Sequence, residues 1–166
     1  DEECLRILAL HQPVAGDLRY ITAVLKINND LERIGDLACN VAERAIDLAR
    51  REPLVLPLRF ERMTEIVRGQ LHDALDALVN RDARLARAVL ARDLEINQIH
   101  RQHFELLQES MKASPDNVEG AVDLLSASRQ LERIGDQTTN IAEDVVFLVE
   151  GQVIRHARPA APAQPT

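Results

Sequence analysis

Apolar residues recur three and four positions apart along most of the chain, the spacing of helices that bury one stripe and wet the other. Leu5, Ile7 and Leu8 place an amphipathic helix over residues 1–10, with no capping signal ahead of it, so the chain reads as beginning partway through a helix. Pro13 halts that helix, and the Pro-Val-Ala-Gly-Asp run that follows suits the first turn of the next. The second helix is expected from Val14 to Arg51, roughly 38 residues and about 57 Å long. Pro53 and Pro57 then bound a short extended linker. A third helix over Leu58–Asn80 has Phe60, Met63, Ile66, Val67, Leu71, Ala74, Leu75 and Leu78 in register. Arg81-Asp82 is a turn whose aspartate can cap a fourth helix to Lys112, with Ala86, Val89, Leu90, Ile96, Ile99 and Leu106 inward. Ser114-Pro115 opens a last helix that Gly151 ends after Glu150. Residues 155–166, rich in proline and alanine, read as a disordered tail. Alternating strand patterns are missing, so the class is all-α.

Composition fits that pattern and removes some functions. At 166 residues the chain holds one or two small domains. Hydrophobic residues make up 46% and aromatics only 2%, which gives a core of Leu, Ile, Val and Ala suited to helix-on-helix packing. A net charge of −7 argues against nucleic-acid binding, whose footprint is a basic patch. Cys4 and Cys39 are not in metal-binding spacing and read as reduced core thiols of a cytosolic protein. There is no secretory signal and no 18-residue apolar run, so neither export nor a membrane span is expected.

The candidate chemistry lies in a repeat. Leu31-Glu32-Arg33-Ile34-Gly35-Asp36 returns unchanged 100 residues later as Leu131-Glu132-Arg133-Ile134-Gly135-Asp136, and Asn40, Ala42-Glu43 and Leu48 are echoed by Asn140, Ala142-Glu143 and Leu148. A fixed-spacing repeat means a fold built from two copies of one unit. Leu31, Ile34, Ala38, Val41, Ala45 and Leu48 form the apolar stripe of the first copy. Glu32, Asp36, Asn40 and Glu43 stack on another face, as do Glu132, Asp136, Asn140 and Glu143 in the second copy. Like charges four apart repel by a few tenths of a kcal/mol unless a cation relieves them. One such run alone would be a solvated face, with Arg33, Arg44 and Arg133 as local counter-charges. Two runs with the same oxygen-bearing positions point to metal binding. Carboxylates and amides without Cys or His in the stripe favour hard cations, Mg²⁺, Mn²⁺, Ca²⁺ or ferric iron, over structural zinc. Mid-helix Gly35 and Gly135 suggest close approach of a neighbouring helix, ahead of a bound ion.

Laid over each other at that offset, His11–Arg51 matches Met111–Gly151. Residues 54–154 therefore make a complete three-helix unit, and residues 1–53 hold the end of a second helix and the whole third helix of an incomplete first unit. A long helix without its bundle partners must cover its stripe with another chain or with the second bundle. In the complete unit Asp93, Asn97 and His100 sit at i, i+4 and i+7 of the middle helix, where they could face Glu132 and Asp136 across one ion site. His100 and His103 are a possible ligand pair, with an exposed polar face the plainer reading. Asp17 and Asn117, near the starts of the long helices, are accounted for by the helix dipole. Phosphate loops, nucleophile elbows, His-Glu-x-x-His and Cys-x-x-Cys are all missing.

The doubled Glu-Arg-Ile-Gly-Asp, preceded by Gln12-Pro13-Val14-Ala15-Gly16-Asp17-Leu18-Arg19, resembles the PhoU family of bacterial phosphate-transport regulators across residues 1–151. The resemblance implies tandem three-helix bundles, each binding metal ions or clusters through Glu/Asp-x-x-x-Asp motifs. Those motifs fall on Glu32, Asp36 and Asn40 and on Glu132, Asp136 and Asn140, with Asp93 and Asn97 as the middle-helix partner. Asn97 stands where the family commonly has an acid. The implied cofactor is an oxygen-ligated Mg, Mn, Fe or Zn ion. The implied function is non-enzymatic restraint of phosphate uptake and of the phosphate-starvation response. It would be exerted at the cytoplasmic face of the membrane by contact with the phosphate ABC transporter, through its ATPase subunit, and with a sensor histidine kinase. A homodimer through the incomplete first bundle is expected. Two other readings are a cytoplasmic regulatory domain of a phosphate or cation transporter and, below it, a metal-dependent phosphohydrolase.

Overall fold

The computed structural model describes residues 2–154; the tail expected at 155–166 lies outside them. Five α-helices follow in order: α1 Glu2–His11, α2 Ala15–Leu48, α3 Phe60–Asn80, α4 Ala83–Ala113 and α5 Val118–Glu150, with a single 3₁₀ turn at Pro115–Asn117 between the last two. Strands are absent among the described residues. The chain is all-helical, as its periodicity predicts. Asp82 caps α4, its Oδ1 accepting from the backbone N–H of Arg84 at 2.9 Å and of Leu85 at 3.0 Å. Gly151 ends α5 in the left-handed conformation, with its N–H on the Phe147 carbonyl. Ser114 caps the 3₁₀ turn and not α5 itself.

Helices α3, α4 and α5 form a three-helix bundle around Met63, Val89, Ile96, Ile99, Leu107, Ile141 and Val145, all essentially inaccessible to solvent. Helix α2 lies antiparallel on α5. The pairing is read from its ion pairs: Lys26 meets Asp144, Arg44 meets Asp123, and Arg51 meets both Asp123 and Glu119. The two copies of the repeated phrase are thus neighbours, crossing in opposite directions.

The two copies differ in how much covers them. On α5, Gly135, Thr138, Ala142, Val145 and Val146 are buried beneath α3 and α4. Their counterparts on α2, Gly35, Ala38, Ala42, Ala45 and Ile46, are exposed, Ile46 by 55%. The stripe expected to face a core on α2 is therefore corrected: only Ile34 is buried, Leu31, Val41 and Leu48 are half-buried, and Ala38 and Ala45 face outward. Burial on α2 follows contact with α5 and falls on Ile21, Ala23, Ile27, Ile34 and Leu37. The glycines divide in the same way. A Cβ at Gly135 would stand 3.0 Å from Ile96 Cδ1, whereas one at Gly35 would meet nothing within 4 Å. The cysteines are also not core thiols: Cys39 is exposed and Cys4 half-buried, both unpaired.

Candidate functional site

Residues Asp93, Asn97 and His100 on α4 meet Glu132 and Asp136 on α5. Gly135 permits this, because with no side chain there Ile96 and Asp93 come against the α5 backbone; Asp93 Oδ1 lies 3.5 Å from where a Cβ would be. Asn97, His100, Arg101, Phe104, Glu132 and Asp136 line an open trough of about 440 Å³. Asn97 donates its side-chain N–H to Asp93 Oδ2 at 2.8 Å. Asp93 Oδ1 is buried with no hydrogen-bond partner, and such an oxygen costs free energy unless something else satisfies it.

The carboxylates repel one another across this trough. Burial pushes the Asp93 carboxyl above its usual range and Glu132 adds to the rise, while the Asn97 hydrogen bond opposes it. Asp136 is pushed up to about 6, first by burial, then by Glu132 and Asp93, against a smaller pull from Arg133. Asp136 keeps an open side to water, so the charge of its neighbours and the low-dielectric wall of α4 act on a group that solvent still reaches. Among the described residues no three His, Cys, Asp or Glu side chains close on one point as a finished metal shell. What the trough offers is an acidic oxygen-donor set, with the Asp93 carboxylate beside it against the α5 backbone, and such a set suits a hard cation. Asp93, Glu132, Asp136 and the amide oxygen of Asn97 are the groups that would hold it.

The remaining expected ligands are placed elsewhere. Asn140 belongs to a second groove of about 370 Å³ between α2 and α5, with Lys26, Asn29, Asp30, Arg33, Glu143 and Asp144. The four-residue column on α5 is thereby split. Each four-residue step turns about 40° round a helix, so Asn140 lies about 80° from Glu132 and faces α2. That groove already holds cations of its own, Lys26 and Arg33, with Lys26 donating to Asp144 at 3.2 Å. Burial and then Asp144 raise Asp30, against Arg33 and Lys26. Glu32, Asp36 and Asn40 are exposed on α2. The described residues place no helix opposite them as α4 stands opposite Glu132 and Asp136, so the first copy does not assemble a matching trough.

His103 is corrected from both expectations, ligand and exposed polar face. It is buried at 1% exposure and packs against Phe60 with ring centroids 4.7 Å apart. Its Nε2 accepts the Arg59 backbone N–H at 2.8 Å, and Nδ1 lies 3.0 Å from Ser128 Oγ. Burial, His100 and Arg59 bring its pKa down to about 4, so the ring is neutral near pH 7. The signal was present in the sequence, because His103 continues the Ile96, Ile99, Leu107 spacing of the α4 core stripe. Ser128, which joins His103 to His100, carries no such signal.

The PhoU domain family matches the chain at residues 1–45 and 60–145. A phosphate-specific transport system accessory protein PhoU homolog of Caulobacter vibrioides is 39% identical over 160 residues, covering 96% of this chain and 70% of that protein. The homolog of Aquifex aeolicus is 38% identical over 156 residues, 94% of this chain and 71% of that one. Among solved structures, PhoU from Pseudomonas aeruginosa matches with a TM-score of 0.87 at 40% identity, over 92% of this chain and 73% of the other. The phosphate transport system regulatory protein PhoU from Streptococcus pneumoniae gives 0.78 at 27% identity, over 92% and 71%.

Proposed function

We propose, from the premise that the chain belongs to the PhoU family, that it is a metal-binding regulator of phosphate transport without chemistry of its own. In this reading it restrains phosphate uptake by contact with the transporter's ATPase subunit and with a sensor histidine kinase at the cytoplasmic face of the membrane. No described helix is long and apolar enough to cross a bilayer. The metal reading rests on one observation. Burial and the Glu132 carboxylate raise Asp93, and burial, Glu132 and Asp93 raise Asp136 to about 6, on the two helices that flank the trough. A cation in the trough would remove that repulsion. It supplies charge neutralisation and a cross-link, not a reaction. Asp93 and Asn97 on α4 and Glu132 and Asp136 on α5 would be tied to one ion, which fixes the surface around the trough for contact with a partner.

Elemental analysis of the purified protein beside the Glu132→Gln/Asp136→Asn double variant tests the metal. Metal is expected in the parent and largely lost from the variant; equal content in both removes the metal reading. Complementation of a bacterium lacking its own PhoU tests the rest. The parent chain is expected to return phosphate uptake toward the restrained level and the double variant to fail. Unchanged uptake with well-expressed parent protein would count against the regulatory role.

A further inference from the structure

His103, neutral and accepting the Arg59 N–H on Nε2, carries its proton on Nδ1 and donates it to Ser128 Oγ. Ser128 is fully buried. Its oxygen has one proton to give and a second lone pair to offer. Two groups compete for these: His100 Nδ1 at 2.9 Å and the weaker acceptor Met63 Sδ at 3.8 Å. Either the hydroxyl donates to His100 Nδ1, which puts the His100 proton on Nε2. Or the hydroxyl turns to Met63 Sδ, Oγ accepts a second N–H from His100 Nδ1, and Nε2 is a bare lone pair. With Nδ1 spent on the core, Nε2 is the nitrogen His100 has for the trough it lines with Asn97, Arg101, Glu132 and Asp136. A lone pair beside carboxylates is unfavourable alone and favourable with a cation between them.

From this geometry we infer that His100 Nε2 is an additional ligand at the α4–α5 trough and sets its specificity for a borderline divalent transition metal (Fe²⁺, Co²⁺ or Zn²⁺) over Mg²⁺ and Ca²⁺. The inference rests on the reading that the trough holds a cation. Imidazole suits those metals, whereas magnesium and calcium take oxygen ligands. Ser128 is a positioning residue. When metal binds, the single ring proton of His100 leaves Nε2 for solvent water and one is taken up at Nδ1, while the Ser128 hydroxyl swings to Met63. The count of bound protons at the pair is unchanged. A ligating histidine whose far nitrogen donates into a fixed acceptor is held in tautomer and orientation by that bond.

The test is calorimetric titration of Zn²⁺ and of Mg²⁺ into the full chain and into His100→Gln, Ser128→Ala and Glu132→Gln/Asp136→Asn variants. It is joined to long-range ¹H–¹⁵N spectra of the imidazoles with and without Zn²⁺. His100→Gln, at a partly exposed position, is expected to lower Zn²⁺ affinity at least tenfold more than Mg²⁺ affinity. Ser128→Ala should lower Zn²⁺ affinity by about 10–100-fold with a smaller change for Mg²⁺; a purely structural role would weaken both alike. On adding Zn²⁺, the His100 Nε2 resonance should move and the ring proton should be found on Nδ1. If His100→Gln shifts both metals equally, or Nε2 does not move although the carboxylate double variant abolishes Zn²⁺ binding, this inference fails and the metal trough stands. If the parent binds neither ion, the trough reading fails and His100 falls with it.

Discussion

Asp136 is the residue at which the repulsion within the trough can be measured. Its carboxyl is raised from 3.8 to about 6 in the folded chain, so the folded state holds a proton that the unfolded state has already lost between those values. The stability linked to that proton is full below pH 3.8 and gone once the pH rises past about 6. At pH 7 the ionised carboxylate therefore works against the fold. The whole interval would amount to about 3 kcal/mol in a sealed site, and the open solvent side of Asp136 screens it to about 1 kcal/mol. Asp136→Asn in the presence of a chelator is accordingly expected to raise the melting temperature at pH 7 to 8 and to leave it unchanged near pH 3.5. With a bound divalent cation the sign should reverse, since the parent gains ligand-linked stability that the variant lacks. Thermal melts of both proteins, with chelator and with metal across that pH range, check this. A variant less stable than the parent at pH 8 under chelator would mean that Asp136 has a partner which the trough does not show.

At the scale of helices, the ends were legible because their chemistry is local. Asp82 two residues before Arg84 and Gly151 after Glu150 each do in the structure what their types imply. Where the backbone is unusual the sequence was silent. Gln12 and Ala15 take left-handed φ values of 43° and 50° on either side of Pro13 and Val14, a strained turn for which neither residue type is a signal. The column of oxygens on α5 divides between two grooves for a different reason: its spacing is set by the sequence, but which groove each oxygen enters depends on the helix lying opposite, and that is a tertiary fact. The paired glycines turn the same point into a measurement. They are identical in sequence context, yet only Gly135 has a neighbour, Ile96, in place of a side chain. Gly35→Ala is expected to stabilise the chain by about 0.5–1 kcal/mol through helix propensity. Gly135→Ala makes the same gain and loses it to crowding of the fully buried Ile96, which costs about 1–3 kcal/mol in packed cores. The two variants should therefore differ by at least about 1 kcal/mol in chemical denaturation. Equal effects would mean that Ile96 shifts freely and that the α4–α5 contact is looser than described.

For the molecule as a whole, the repeat makes two helices of like sequence and unlike support. Helix α5 is enclosed by α2, α3 and α4, whereas among the described residues α2 has α5 on one side and elsewhere the short α1, itself without a buried residue, and Arg81 of the α3–α4 turn over Tyr20. What holds α2 in place is the Ile27, Ile34 and Leu37 face together with an ion pair from Lys26 and another near its C-terminal end from Arg44. Those pairs involve carboxylates that solvent barely reaches, the Asp144 and Asp123 side chains being 12% and 13% exposed. Losing a partner leaves such a carboxylate without its counter-charge, so Lys26→Met should cost about 1 kcal/mol, held to that size because Lys26 is itself half exposed. Local opening follows local packing. Amides at residues 35–46 are thus expected to exchange with solvent deuterium at a lower free energy than the matched amides at 135–146. Lys26→Met should lower the α2 value further and leave the interior of α5 unchanged. Measured on the same sample, the repeat supplies its own control, because intrinsic exchange rates are nearly matched where the two copies read alike. Were both stretches to exchange through one common opening, α2 would be as firmly part of the fold as α5, and its outward Ala38, Ala42, Ala45 and Ile46 would owe their protection to a contact not formed within this chain.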